Sequence, residues 1–277
     1  MRKLLYLTFL FFVLTACNNT EKKAEKKLQY AQEAFEKGHY NEAKIQIDSI
    51  KILYPKAFDT RRKGIRLMQE IELKEQQKTL AYLDSLLAEK QTQFAVLKKD
   101  FILEKDTAYQ QIGNYLAFSQ TIEKNIHRSF LRFQVDENGI MSMTSIYCGS
   151  KNIHHYAIRV TAPDESFAQT PPSKDSYETT DLGEKIEKAD YKFGQDGNVI
   201  SFLYLNKDKN IRINYIGDRS YSIKMEKADL QALGGVYELA QLLSSITEIK
   251  KNREEASLKM KFVKREIEKT KQIEEAK

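Results

Sequence analysis

Two apolar heptad runs near opposite ends of the chain constrain its fold most strongly. One steps by three and four residues in alternation from Leu80 to Phe101, and the other does so from Leu239 to Ile267. This spacing is typical of α-helices that wrap around one another as a coiled coil. Counted from Leu73, where the first pattern begins, each run covers about thirty residues, which predicts helices ~45 Å long at 1.5 Å per residue. The seam positions are Leu80, Leu83, Leu87, Lys90, Phe94, Leu97 and Phe101, then Leu239, Leu242, Ile246, Ile249, Arg253, Ala256, Met260, Val263 and Ile267.

The two runs are expected to pair within one chain. Their lengths match, and the helices are assigned to residues 56–107 and 229–277. An antiparallel coiled coil with the intervening segment inserted as a head is the economical arrangement. A parallel oligomeric coiled coil through either run is the alternative, so the oligomeric state stays open. Lys90 and Arg253 are the polar intrusions, which either set the register or leave room for a third helix.

The segment 108–228 changes to an alternation of period two, which predicts β-strands. Strands are predicted at 130–135, 140–147 and 156–161, and the stretch 189–205 is predicted as strand, turn and strand. Two further strands follow at 210–217 and 220–226. The stretch 162–185 holds three of the four prolines and is predicted to be a long exposed loop. The fold class is therefore predicted as α+β, with an antiparallel β sandwich or barrel-like head.

The charge of the chain argues against a nucleic-acid partner. Charged residues make up 30% of the chain, and the formal net charge is +6. Arg2 and Lys3 account for two of these charges, so the chain from Cys17 onward carries +4. The signs alternate along the helical stretches, whereas nucleic-acid binders concentrate basic residues on one face. We expect a solvated surface of mixed charge.

The N-terminal segment has the organisation of a signal peptide. Arg2 and Lys3 precede an apolar stretch, Leu4–Leu14, which is much shorter than the ~20 residues that a membrane-spanning helix needs. The stretch ends in Leu14-Thr15-Ala16-Cys17. These four residues resemble the lipobox of bacterial envelope lipoproteins.

That resemblance implies a lipid anchor on Cys17. Residues 1–16 would be removed as the signal peptide, and the Cys17 thiol, a soft nucleophile, would carry a diacylglyceryl group. Residues 17–23 would then form the lipidated N-terminus and a linker. Multiple acyl chains give stable membrane attachment. By analogy with such lipoproteins, Asn18 after the cysteine implies the outer membrane, and we favour its periplasmic face over the cell surface.

Residues 24–55 are predicted to form a helical hairpin. Leu28, Ala31, Ala34 and Phe35 have helical spacing, Gly38 interrupts them, and a second apolar run ends at Pro55. The pattern resembles one tetratricopeptide repeat. The shared features are the small residue Ala31, the "KGHYNEA" turn and the closing Pro55. It departs from the repeat at Lys27 and Ala34, and no second copy follows. Since about three repeats are usually needed for stability, we favour an adaptor role over a peptide-binding groove.

The remaining candidate chemistry is weak. Cys148 precedes His154 and His155 closely in "YCGSKNIHHY", which suggests a nucleophile with a base or half of a zinc site. A structural zinc site needs four ligands, and a thiol nucleophile needs an orienting partner. Lipidation of Cys17 would leave Cys148 without a disulfide partner, so we interpret Cys148 as a small buried residue. Phosphate-loop, nucleophile-elbow and zinc-protease motifs are missing from the sequence.

These features predict a non-enzymatic envelope lipoprotein without cofactor or metal. It would be held at the membrane by the lipid on Cys17 and would act as an adaptor for another envelope protein. The alternative is a carbohydrate- or peptide-binding lipoprotein that uses the β head, where Tyr204, Tyr215 and Tyr221 could stack on sugars.

Overall fold

The computed structural model describes residues 20–275, which form five helices and two antiparallel sheets. The predicted α+β class is confirmed. The chain divides into two units: unit 1 contains the residues up to Ser85 and those from Lys251 onward, and unit 2 contains Leu86–Lys250. Within residues 20–275, no helix has the length and apolar character needed to cross a membrane. The helices are α1 (residues 20–36), α2 (Tyr40–Leu53), α3 (Phe58–Leu97), α4 (Val199–Leu205) and α5 (Lys227–Glu275).

Unit 1 is built from α1, α2 and parts of α3 and α5. Small side chains let the first three helices approach closely, because Ala31, Ala34 and Ala43 are buried in one cluster with Ile47, Leu67 and Ile71. The turn between α1 and α2 contains Gly38, whose φ of 76° lies in the left-handed region that favours glycine. Two helices therefore occupy the segment in which a hairpin was predicted.

The heptad positions of α3 and α5 in unit 1 are protected from solvent. Leu83 on α3 and Ala256 and Val263 on α5 are buried, whereas their neighbours along each helix are mostly exposed. Arg253 Nε lies 2.5 Å from Asp84 Oδ1. The two helices therefore contact one another in this unit.

Unit 2 contains both sheets. The first has six strands in the order β1-β2-β3-β4-β8-β7, and the second has four in the order β10-β9-β5-β6. Neither closes into a barrel among the residues described. The strands are β1 (Phe101–Glu104), β2 (Asn114–Ala117), β3 (Phe130–Asp136), β4 (Met141–Gly149), β5 (Ala157–Thr161), β6 (Phe167–Gln169), β7 (Ser176–Asp181), β8 (Glu184–Lys192), β9 (Arg212–Ile216) and β10 (Tyr221–Lys224).

Alternation along the strands creates the core of unit 2. On β3, Leu131, Phe133 and Val135 point into a buried cluster, while the residues between them face the other side of the sheet. Residues from both sheets, from α4 and from the first turns of α5 share this cluster. The six-stranded sheet therefore has one face in the core and one face that is free to build a site.

The predicted strand over 199–205 is wrong, because "VISFLYL" forms helix α4. A short, uniformly apolar run fits a buried strand and a buried helix equally well. The buried Asp196 carboxylate decides between them, since it accepts the backbone N–H of Ile200 at 2.7 Å in the first helical turn. Val199, Ile200 and Leu203 then bury one face of the helix.

Two other boundaries also differ from the prediction. The stretch 162–185 contains β6 and β7 and is therefore not a continuous loop. The first heptad run was extended to Phe101, but α3 ends at Leu97 and Phe101 begins β1. Phe101 still packs into the core of unit 2, so its apolar character follows from the sheet.

A glycine pair tests how the β3–β4 turn is held. Gly139 has a φ of 91°, and a Cβ there would lie 2.2 Å from the backbone nitrogen of Ser244 on α5. Gly183 has a φ of 84° but open space around it. We expect Gly139→Ala to lower the free energy of unfolding by about 2–4 kcal/mol, because strain and a backbone clash add together, and Gly183→Ala to lower it by about 1 kcal/mol. Urea unfolding, followed by amide exchange in β3 and β4, measures both; equal losses would contradict the docking of this turn on α5.

Candidate binding cleft

A cleft of about 400 Å³ lies on the outer face of the six-stranded sheet. Its floor is formed by Phe130 on β3, Ile146 on β4 and Ile186 on β8, whose side chains face away from the core. Strand pairing places Phe130 opposite Ile146, and Cys148 opposite Ile186. The sheet register therefore gathers an apolar floor from residues that are far apart in sequence.

The rim of the cleft is aliphatic and exposed. Ile122 and Ile126 come from the segment before β3, and Leu182 comes from the turn between β7 and β8. Large aliphatic side chains at the mouth of a concave site commonly mark a surface that binds another molecule. Strand β7 lies beside the cleft at the edge of its sheet, so one side of its backbone has no neighbouring strand.

Three ion pairs lie around the cleft. Arg128 bonds to Asp229, Arg132 bonds to Glu104, and His127 bonds to Glu184. The pKa of Glu184 is lowered, chiefly by the bond from His127 and next by the bond from Cys148. Arg132 Nε is buried without a hydrogen-bond partner, so the polar lining is only partly satisfied.

Cys148 is not an activated nucleophile in this setting. Its side chain is half-buried, and the Sγ atom donates to Glu184 Oε2 at 3.2 Å. Burial and the neighbouring carboxylate raise the pKa of the thiol to about 11, so that it is protonated at neutral pH. A reactive cysteine needs the opposite environment, in which a nearby positive charge stabilises the thiolate.

The histidines that follow Cys148 in sequence bond to other groups. His155 contacts Ser145 and Glu187, and His154 contacts Glu178. The Glu184 carboxylate that accepts the Cys148 thiol also bonds to the imidazole of His127. The hydrogen bonds of Cys148, His154 and His155 therefore do not join them in one catalytic group. Sequence spacing could not reveal the true neighbours, because the β7–β8 hairpin brings Glu184 to the thiol.

Ser145, His155 and Glu187 form a buried hydrogen-bonded array. Ser145 Oγ lies 2.9 Å from His155 Nε2, and His155 Nδ1 lies 3.0 Å from Glu187 Oε2. This connectivity matches a serine-hydrolase triad. However, all three residues are buried and the serine hydroxyl faces the packed core. Burial lowers the pKa of His155, so the ring is neutral. The array is suited to holding strands together, since no substrate could reach the hydroxyl in this arrangement.

One group of ligand-type atoms lies near the array. His154, Glu178 and Glu187 place one ligand atom each within 4.8 Å of one another. Glu187 already accepts the backbone N–H groups of Ile153, His154 and His155, together with the His155 ring. These four bonds occupy both carboxylate oxygens, so a metal ion would have to break them. The site does not fit a metal.

The tyrosines proposed for sugar stacking pack against other aromatic rings of unit 2. Tyr215 is fully buried and donates to the carbonyl oxygens of Phe130 and Ile146. Tyr221 is half-buried against Tyr215, and the half-buried Tyr204 stacks on Tyr237 with ring centres 4.0 Å apart. None of the three rings is therefore fully exposed.

The lipobox residues Leu14, Thr15, Ala16 and Cys17 lie outside the described residues. Comparison with protein-family models, curated proteins and solved structures gives no match for the chain. The cleft is therefore interpreted from its own geometry.

Two adjacent histidines should give opposite pH dependences of stability. Burial lowers the pKa of His155, so the unfolded chain binds a proton that the folded protein does not. The free energy of unfolding therefore decreases as the pH is lowered below about 6.5, by at most about 1.4 kcal/mol per pH unit. The bond to Glu178 raises the pKa of His154. The protonated His154 therefore stabilises the folded state below about pH 6.5, and this stabilisation is lost as the pH rises through the raised pKa.

We therefore expect His155→Gln to lose less stability than the wild type between pH 7.5 and pH 5.5, and His154→Gln to lose more. Urea unfolding at the two pH values provides the measurement, with each variant as the control for the other. A change of the same sign in both variants would contradict these assignments.

Proposed function

We propose that the chain is a non-enzymatic envelope lipoprotein that binds a partner protein through the cleft of unit 2. In this proposal residues 1–16 are removed and Cys17 carries the lipid, with Leu14, Thr15 and Ala16 as the recognition sequence. The anchor holds the protein at the outer membrane, facing the periplasm. The lipobox pattern supports this anchor. Thr20 follows Cys17 by three positions and belongs to helix α1, so the lipid would be attached close in sequence to the first described helix.

The apolar rim of the cleft is the observation that carries the binding role. Ile122, Ile126 and Leu182 are exposed around a floor of buried and half-buried apolar side chains. Leaving such side chains in water is unfavourable by about 25 cal/mol per Å² of apolar surface, and a partner that covers them recovers this free energy. The ion pairs of Arg128 and His127 and the protonated thiol favour binding over catalysis.

A peptide segment suits this cleft better than a sugar does. Its lining contains no tyrosine, and its only aromatic ring is the buried Phe130. Sugar sites commonly use exposed aromatic faces, whereas aliphatic rims suit apolar side chains of a peptide. The edge of β7 could also pair with an extended partner segment, which would add main-chain hydrogen bonds. We therefore favour the peptide form of the alternative function.

The helices and sheets give this proposal a finer architecture. Buried heptad residues and the Asp84–Arg253 ion pair support an antiparallel coiled coil between α3 and α5 in unit 1. The shared core of the two sheets supports a sandwich in unit 2. The turn at Gly38 and the buried alanines of α1 and α2 support the tetratricopeptide-like hairpin as an adaptor. These assignments remain predictions.

Site-specific crosslinking tests the cleft. A photoreactive residue at Leu182 should give one reproducible adduct in intact membranes, whereas the same group at Leu205, an equally bulky exposed residue of α4, should give none. Ile126→Asp on the other wall should lower the Leu182 adduct by at least about fivefold, because it places a charge in the apolar contact. Equal adducts at both positions, or none at either, would argue against the cleft as the binding surface.

The anchor is tested by Cys17→Ala. We expect this variant to lack the lipid mass and to be absent from the washed membrane fraction as a processed protein, because the acyl chains supply the attachment. Intact-mass spectrometry and membrane fractionation measure the two effects. A wild-type protein that keeps residues 1–16 and carries no lipid would refute the anchor.

A further inference from the structure

Three helix ends meet at one end of unit 1. The Glu21 carboxylate on α1 accepts the Thr60 backbone N–H at 3.0 Å and the Thr60 hydroxyl at 2.7 Å. Next to this contact, Ala24 of α1 is buried with Ile50 near the end of α2 and with Ala57 just before α3. The beginning of the described chain is therefore fixed beside the α2–α3 turn.

This end of unit 1 exposes large apolar side chains. Ile52, Leu53 and Phe58 are between 58% and 75% exposed, although they surround the buried residues Ile50 and Ala57. The turn thus presents an apolar surface outward while its other side packs on α1. Exposed apolar groups of this size, clustered within seven residues, usually have a binding role.

The same segment carries an excess of positive charge. The stretch 51–63 contains five basic residues and one acidic residue, so its net charge is +4. Lys51, Lys56, Arg62 and Lys63 are exposed, and the half-buried Arg61 bonds to the Pro55 carbonyl oxygen.

The position of Cys17 links this surface to a membrane. Thr20 follows Cys17 by three positions, so the two can be at most about 11 Å apart in any conformation of the chain. An acyl chain on Cys17 would hold the basic and apolar turn at the bilayer surface. Basic side chains are attracted to anionic headgroups, and apolar side chains among them enter the interfacial region.

We propose that residues 51–63 form a membrane-docking collar, in which Ile52, Leu53 and Phe58 enter the interface of a phospholipid bilayer and the flanking lysines and arginines contact anionic headgroups. This inference rests on the lipidation of Cys17 in the proposed function. The lipid on Cys17 would keep residues 51–63 close to the bilayer at a high effective concentration. Weak attractions between these residues and the lipids are then sufficient for binding. The collar would fix how unit 1 is oriented on the membrane, which attachment at Cys17 alone could not do.

Fluorescence quenching in vesicles tests the collar on the full-length acylated protein. Cys148→Ser leaves an introduced cysteine as the only free thiol, and an environment-sensitive dye is attached at Phe58→Cys or at Tyr82→Cys. Phe58 and Tyr82 are both 66% exposed and lie on the same helix, ~36 Å apart along its axis. The vesicles are phosphatidylcholine with or without about one-third phosphatidylglycerol, and they contain a spin-labelled lipid as quencher.

We expect the dye at position 58 to be quenched at least about twofold and blue-shifted in the anionic vesicles, with less effect in neutral vesicles and none at position 82. The double change Lys56→Glu and Lys63→Glu should reduce the quenching at 58, since it reverses charges that face the headgroups. Equal signals at 58 and 82 in acylated, vesicle-bound protein would overturn the collar while leaving the anchor intact. Protection of position 58 only in native envelopes, and not in vesicles, would overturn it in favour of a protein contact.

Intact-mass analysis of the same sample separates the two proposals. A lipid on Cys17 supports the proposed function whatever the dye reports. Its absence would overturn the lipoprotein assignment and, with it, this mode of docking.

Discussion

The buried carboxylate of Glu187 is the interaction on which the organisation of unit 2 depends. It lies on β8 of the six-stranded sheet and accepts three successive backbone N–H groups, those of Ile153, His154 and His155. These residues lie in the connection from β4 of one sheet to β5 of the other. A buried carboxylate is tolerated only when it is fully hydrogen-bonded, and here the donors belong to the crossing segment itself. Removing the charge would leave both the segment and the ring of His155 without their partner.

The same strand gives the cleft its rigid floor. Because side chains alternate along β8, Glu187 points inward while Ile186 and Lys188 face the cleft. Fixing Glu187 with four hydrogen bonds therefore also fixes the outer face of the strand. The floor is therefore held in place by the buried array. The triad-like connectivity of Ser145, His155 and Glu187 thus has a structural consequence on both faces of the sheet.

The sequence predicted the regular parts of the fold and little of the site. Period-two alternation located β3, β4 and β5, because each has one buried face, and the heptads marked the protected positions of α3 and α5. Alternation could not identify α4, whose apolar run is continuous, or the mostly exposed strand β7. The cleft was missed because its floor joins β3, β4 and β8, and pairing over such distances leaves no local signal. Net charge over the whole chain likewise concealed local basic stretches, since windows of 13 residues reach +4 at 51–63 and again at 259–271.

The polar intrusion at Arg253 shows how a charged residue can be accommodated between two packed helices. Arg253 and Asp84 are each about half exposed, so their ion pair contributes only about 0–1 kcal/mol to stability. In the same unit Leu83 on α3 and Ala256 and Val263 on α5 are buried. Burial of apolar side chains removes far more surface from water than an exposed ion pair does, so these residues supply most of the attraction between the two helices. The ion pair gives the charge of Arg253 a partner at the edge of this apolar contact.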